Sequence, residues 1–253
     1  MAYGTKYQWT IAGRTRVWTI SLQQEGFIPS PDFSSFGTLY AAYTPDSIVE
    51  DPSNSGQVLT WNDVSGLGHH LIQNVGTPLL SDINGVPAVS ITGNTHLMRS
   101  ASSFSGTGTS THHCFIVGYT TDTSGDIFDQ AWSDGFGAFR VQADTSNIQN
   151  THAGSSLVAS PSVNVSTEGA FLFDYRKPVG AGNTTIYFNG TSVGTGNVAG
   201  GPSGAMQIGR WVTNDGPIAK FGLVLLYGED GSGNLPDAAP IRTAIMDYFG
   251  ITP

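Results

Sequence analysis

Thr184-Thr185-Ile186-Tyr187-Phe188-Asn189-Gly190-Thr191-Ser192-Val193-Gly194 is a pair of β-rich runs joined by Asn-Gly. A two-residue type I′ turn needs positive φ at both central positions. Asn and Gly tolerate that better than other residues, so the stretch predicts a hairpin. The same texture extends outward in both directions, as short apolar runs separated by Gly, Ser, Thr and Asn. Upstream, strands are expected around residues 39–43, 58–61, 71–73, 88–91, 96–99, 114–120, 127–129, 138–142, 157–158 and 170–175; downstream, around 205–208 and 219–227. The period changes only near the C-terminus. There Asp237 suits a helix N-cap, Ile241, Ile245 and Phe249 form one stripe with Ala244 and Tyr248 alongside, and Gly250 suits the position just past the helix. The pattern is that of an all-β sandwich with one short C-terminal helix.

Composition agrees. Only 11% of the 253 residues are charged, 39% are hydrophobic and 33 are glycine, which favours many strands and tight turns over disorder. Net charge is −9, and the ten basic residues are scattered, with none between Arg16 and Arg99. No stripe of cations is available to neutralise phosphates, so nucleic acid is excluded as a partner, and an acidic chain does not adhere to anionic membrane. Cys114 is the single cysteine, so no internal disulfide can form, and its apolar surroundings suit a small buried hydrophobe. The first residues lack the apolar run of a signal peptide, which implies synthesis in a host cytoplasm without export.

Residues 1–33 differ from the rest. Two alternating segments, 7–11 and 16–22, flank Ala12-Gly13 and read as a second hairpin, followed by a proline-bearing linker at 27–32. Three of the ten basic residues lie here. A lone hairpin is marginal in water, so it needs something to pack on. Tyr7, Trp9, Arg14, Arg16 and Trp18 are the candidates for anchoring it to a partner, and residues 34–253 are expected to form the sandwich domain.

Three passages together resemble the concanavalin A-like (laminin G-like) domains of phage structural and bacterial surface proteins. Trp61-Asn62-Asp63-Val64-Ser65-Gly66-Leu67-Gly68-His69-His70-Leu71-Ile72-Gln73 is similar to that family's W-x-D-x-S-G-x-G-x-x-x-x-Q passage. Ile83-Asn84-Gly85-Val86-Pro87-Ala88-Val89-Ser90-Ile91-Thr92-Gly93 is similar to its N-G-x-P-A-V-x-F-x-G strand, with Ile91 in place of Phe. The Tyr187–Gly190 hairpin, Ile208-Gly209 and the closing strand 218–227 resemble the family's last passage, with Lys220 where an acidic residue is usual. The resemblance covers most of residues 38–251. It implies a jelly-roll sandwich of two antiparallel sheets, and its residues are turns and core rather than a site.

A glycosidase of this kind needs carboxylates alternating along one strand, and the four glutamates at 25, 50, 168 and 229 form no such array. Asp126 and Asp129 are the nearest acidic pair, and a spacing of three on a regular strand places them on opposite faces. They are also the candidates for a calcium site; no other cofactor is implied. His69-His70 and His112-His113 read as turn and strand-edge residues, because neighbours on a strand point apart. Sugar binding needs aromatics beside planar polar groups. Trp132 and Asp134 in one loop, Arg140 beside it, and Trp211, Asn214 and Asp215 in another meet that need. The expectation is a non-enzymatic virion structural protein, a phage capsid decoration or tail appendage. It would be bound to capsid or tail proteins through its N-terminal segment and homo-oligomeric in the particle. The alternative is a carbohydrate-binding module or lectin recognising glycans.

Overall fold

The computed structural model describes residues 3–11, 14–22, 28–92, 97–104, 111–120, 126–131, 140–144, 148–152, 155–159, 169–178, 183–196, 204–209 and 218–253. The chain divides into two compact units, Met1–Ser30 and Pro31–Pro253. In the first, β1 (Tyr3–Ile11) and β2 (Arg14–Leu22) form a two-stranded antiparallel sheet. Its register opposes Tyr7 to Trp18, Trp9 to Arg16 and Ile11 to Arg14. Alternate residues share a face, so all five anchoring candidates stand on the same face of the hairpin.

The second unit opens with a short turn of helix, Phe33–Phe36, and continues with β3 (Leu39–Glu50), β4 (Val58–Asp63), β5 (Leu71–Val75), β6 (Leu79–Ile83) and β7 (Val86–Thr92). Then come β8 (Leu97–Phe104), β9 (His112–Thr120), β10 (Asp126–Ala131), β11 (Arg140–Asp144), β12 (Ile148–His152) and β13 (Ser155–Ala159). The last strands are β14 (Ala170–Lys177), β15 (Thr184–Phe188), β16 (Thr191–Gly196), β17 (Gly204–Gly209) and β18 (Ile218–Gly228), followed by helix α1 (Ala238–Phe249). The strands are joined in the order β13-β12-β11-β10-β17-β8-β5-β4-β3-β18-β9-β14-β15-β16, with β6 and β7 attached to β18 through β7.

The path turns over at β3. Residues 39–43 pair with β18, whereas the stretch from Tyr43 to Glu50 pairs with β4, and the register slips between Tyr43 and Ile48. Pro45 lies in that slip, where its missing N–H costs no ladder bond. The Ser47 hydroxyl, bonded to the Thr44 and Asn62 carbonyls at 2.9 and 2.8 Å, closes the bend. Two sheets therefore face each other. Trp61, Leu71, Met98, Met206 and Ile208 from one meet Val89, Phe221, Val224, Ile116, Phe173 and Ile186 from the other.

A second apolar layer covers the outer face of the β18 sheet. Phe115, Val117, Leu172, Leu223, Leu225 and Tyr227 meet Phe33 and the Ile241, Ile245 and Phe249 stripe of α1. Strand β18 thus serves both layers, which explains its nearly unbroken apolar run. A bulge at Gly222 switches its alternation: Ala219, Phe221, Val224 and Leu226 face the sandwich interior, and Leu223, Leu225 and Tyr227 face the helix.

The helix is fixed at both ends. The Asp237 carboxylate accepts from Ala239 N at 3.1 Å, and Gly250 is left-handed with φ 62°. The Asn84 amide donates to the Phe249 carbonyl at 2.8 Å, tying the helix end to the β6–β7 turn. That turn and the Asn189-Gly190 turn both have positive φ at both central residues (53° and 82°, 45° and 81°), as a type I′ turn requires.

The all-β sandwich with a C-terminal helix expected from the sequence is the fold observed. Two strands were not foreseen. β6 is an edge strand held by β7 and a single bridge from Leu79 to Gln57, and β12 (Ile-Gln-Asn-Thr-His) is mostly polar, so neither carries the apolar alternation that marks a strand in sequence. Phe33, the last residue of the 1–33 segment read from the sequence, packs in the helix-side layer, where its carbonyl accepts from the Tyr227 hydroxyl at 2.8 Å. A Cβ on Gly222 would lie 2.6 Å from Cε1 of Phe249. Gly222→Ala is therefore expected to lower stability by about 2 kcal/mol through overpacking, read as an earlier urea midpoint with an unchanged slope.

Candidate functional site

Most of the described carboxylates with hydrogen bonds are engaged in turns. Asp63 accepts from Ala42 N (2.9 Å), Ser65 N (2.9 Å), the Ser65 hydroxyl (2.8 Å) and His69 N (3.0 Å). With Trp61 fully buried and donating to the Thr44 carbonyl at 2.8 Å, the Trp61–Gln73 passage is a turn and a core anchor, as its residues imply. His70 Nδ1 accepts from Asp63 N at 3.1 Å, which completes the turn. Asp51 and Asp230 likewise sit in turns: the Asn54 side chain and then Ser53 N hold the Asp51 carboxyl below its ordinary pKa, and Asn234 N and Ser232 N do the same for Asp230.

His112 and His113 are not strand-edge residues: both are buried, in a strand flanked by β14 and β18. On the helix side, His113 Nε2 lies 2.7 Å from Asp174 Oδ1, and Arg242 of α1 holds the same carboxylate by Nε (2.9 Å) and Nη2 (2.8 Å). The Arg242 guanidinium also stacks 3.7 Å from the centre of the Tyr187 ring. Arg242 satisfies the buried carboxylate, so His113 can remain neutral and donate Nε2–H. Its other nitrogen is buried without a hydrogen-bond partner. Burial, partly opposed by Asp174, holds this imidazole below its ordinary pKa of 6.5. Cys114 next to it is inert, since burial pushes its thiol well above its ordinary value. The sequence reading missed this network, although a lone Asp in the apolar run Ala170–Lys177 is the signal of a buried pair. The arrangement pins α1 to the sheet and contains no nucleophile.

A different arrangement occupies the outward face of the opposite sheet. Successive pairings align Thr151, Arg140, Ala131, Gln207, Arg99, Ile72, Thr60 and Val49 in one row across β12, β11, β10, β17, β8, β5, β4 and β3. The row lies on the face opposite the sandwich interior, because the neighbours Met206, Ile208, Met98, Leu71 and Trp61 fill the core, although Gln207 in its middle is itself buried. Beside it stand Gln149, Gln142 and Asp129, and then Asp144 opposite Asp126. A bulge between Asp126 and Phe128 puts Asp126 and Asp129 opposite Asp144 and Gln142, two positions that share a face. The expectation that the two aspartates lie on opposite faces is corrected by this bulge. At the β3–β5 end the face becomes apolar, with Val49, Leu59 and Ile72 exposed.

Of the sequence-predicted binding residues, Arg140 is in this row, and Trp132, Asp134, Trp211, Asn214 and Asp215 lie outside the described residues. The strands that precede the two tryptophans are antiparallel neighbours, so β10 and β17 run toward opposite ends. Among the residues whose side chains are described, no group of three or more His, Cys, Asp or Glu is placed to hold a metal ion; the side chains of Asp126 and Asp129 are not among them.

No protein-family profile matches the chain, and no curated protein sequence matches it. Its likenesses are to solved structures. One is domain 4 of AbnA, a GH43 extracellular arabinanase from Geobacillus stearothermophilus, in complex with arabinotriose. The TM-score is 0.53 at 9% identity, over 83% of this chain and 98% of that one. A GH54 α-L-arabinofuranosidase gives 0.57 at 14% identity, over 86% and 60%. The binding domain of botulinum neurotoxin DC, in complex with SialylT, gives 0.53 at 12% identity, over 81% and 52%. The chain spans about half the length of the neurotoxin binding domains it matches, 51 to 52%. At these identities the likeness is one of fold.

Two outcomes follow from the His113–Asp174–Arg242 network. Arg242→Leu strands a buried carboxylate and is expected to cost about 3 kcal/mol in urea denaturation. A neutral buried His113 takes up a proton less readily than the unfolded chain does. Its contribution to stability is therefore complete above pH 6.5 and lost as pH falls below that value. His113→Gln should flatten the acid-side decline of the urea midpoint, by at most about 1.4 kcal/mol per pH unit.

Proposed function

We propose that the sandwich is a non-catalytic carbohydrate-binding module whose ligand lies across the outward face of β11, β10, β17 and β8. The observation that carries this reading is the alignment of Arg140 and Arg99 in one row, on either side of the covered Gln207 and flanked by the register positions of Gln142, Gln149 and Asp129. Planar forked donors and acceptors suit the vicinal hydroxyls of a sugar, and exposed Ile72 and Val49 suit its C–H face. The likeness to a domain bound to arabinotriose supports it. Trp132, Asp134, Trp211, Asn214 and Asp215 remain the proposed aromatic and polar contacts from the adjoining loops. The virion role expected from the sequence draws no support from the similar structures, and the binding role takes its place. The aromatic face of the N-terminal hairpin is proposed as the tether to a protein partner.

A glycan array followed by calorimetry tests the reading. Saturable binding to a defined glycan is expected, weakened about tenfold by Arg140→Ala through loss of a charged hydrogen-bond donor. Trp132→Ala or Trp211→Ala should weaken it similarly. Silence across plant, bacterial and animal glycans would sink the proposal. Release of reducing ends from a bound polysaccharide would instead assign the Asp126, Asp129 and Asp144 face to hydrolysis.

A further inference from the structure

Five strands of the helix-covered sheet contribute to a second row, with polar groups at its centre, on the face opposite to α1. Pairing opposes Gly228 of β18 to His112 of β9, and His112 to Lys177 of β14. The Arg176–Thr185 pair brings Thr184 of β15 beside Lys177, and Thr184 opposes Gly196 of β16. This row faces the sandwich interior, since Leu226, Cys114, Tyr175 and Ile186, two places further along each strand, belong to the core between the sheets. The ring of Tyr40 fills the space beside Gly228 and closes one end of the row; at the other end Gly196 has no side chain.

The groups in the row are covered, with exposures of 1% for His112, 5% for Lys177 and 1% for Thr184. The Thr184 hydroxyl has no hydrogen-bond partner. Asp174, on the same strand as Lys177, stands on the other face and is bound by His113 and Arg242. Burial is the sole cause acting on the Lys177 ammonium, which it holds below the ordinary lysine pKa with no carboxylate to oppose it. Leaving the buried Thr184 hydroxyl without a partner is costly, and an anion that accepts from it beside the partly shielded Lys177 ammonium would recover that cost. One ammonium balances one negative charge, whereas a phosphate would bring nearly two.

We propose that this row binds the carboxylate of a small ligand between the Lys177 ammonium and the Thr184 hydroxyl, with His112 alongside. The site is independent of the outward glycan face, which belongs to the other sheet. Its ligand is a simple organic acid or the acid group of a sugar.

The chain has three lysines, Lys6, Lys177 and Lys220, so each ε-methylene signal is assignable by substitution in 1H–13C NMR. The full-length protein is titrated with sodium acetate, sodium glucuronate or sodium chloride at matched ionic strength. One signal, absent from Lys177→Met, is expected to shift saturably with carboxylate and not with chloride, while the other two stay in place. Saturation by acetate identifies a bare carboxylate site, and saturation by glucuronate alone identifies a sugar acid; either supports the proposal. Thr184→Val, which keeps charge and volume, should weaken the carboxylate about fivefold. No saturable shift in the wild-type protein, equal shifts at all three lysines, or unchanged affinity in Thr184→Val would overturn it.

Discussion

Strand β18 must be apolar on both faces, and the rest of the sandwich is arranged around that requirement. It is paired on one side to β9 along nearly its whole length, and on the other to β7 and then β3. A strand with three neighbours and two covered faces exposes no backbone donor to water, so every ladder bond must be made within the sheet. The bulge at Gly222 lets one strand do this for two layers whose demands differ in phase. Its missing side chain is also what allows the Phe249 ring to approach. Burying each large side chain of such a strand contributes roughly 1.5–3 kcal/mol, which makes this run the largest local source of stability.

The second layer depends on a charge. Helix α1 covers the β18 sheet with four buried apolar side chains, and Arg242 ties it to Asp174 at the edge of that stripe. A buried carboxylate is favourable only with its partners in place. The pair thus sets where the helix lies along the sheet, while the apolar stripe supplies most of the attraction. Asn84 performs the matching task at the other end of the helix, so a turn between two strands and a helix terminus satisfy each other.

These two constraints leave the polar groups with few places to go. The helix covers one outer face, and arginine, glutamine and aspartate positions align in rows on the other. Among the described residues, His112, Lys177 and Thr184 border the core at strand ends, and Ser100 within β8 accepts from Met206 N. The turn motifs, by contrast, do structural work.

The sequence by itself determined the strands with apolar alternation, the Asn189-Gly190 turn, the helix with its Asp237 and Gly250 caps, and the anchoring role of Trp61. Each follows from a preference that acts over a few residues, such as positive φ, side-chain period or a capping carboxylate. It did not reveal β6 or β12, whose residues are held by neighbours rather than by their own pattern. Nor did it show that Asp126 and Asp129 share a face, because one bulged residue reverses strand parity and leaves no mark in composition. Arg140, Gln207 and Arg99 are far apart in the chain, as are His113, Asp174 and Arg242. Only the tertiary structure decided those groupings, because strand order and register are set by the packing of the whole sandwich and not by any local stretch.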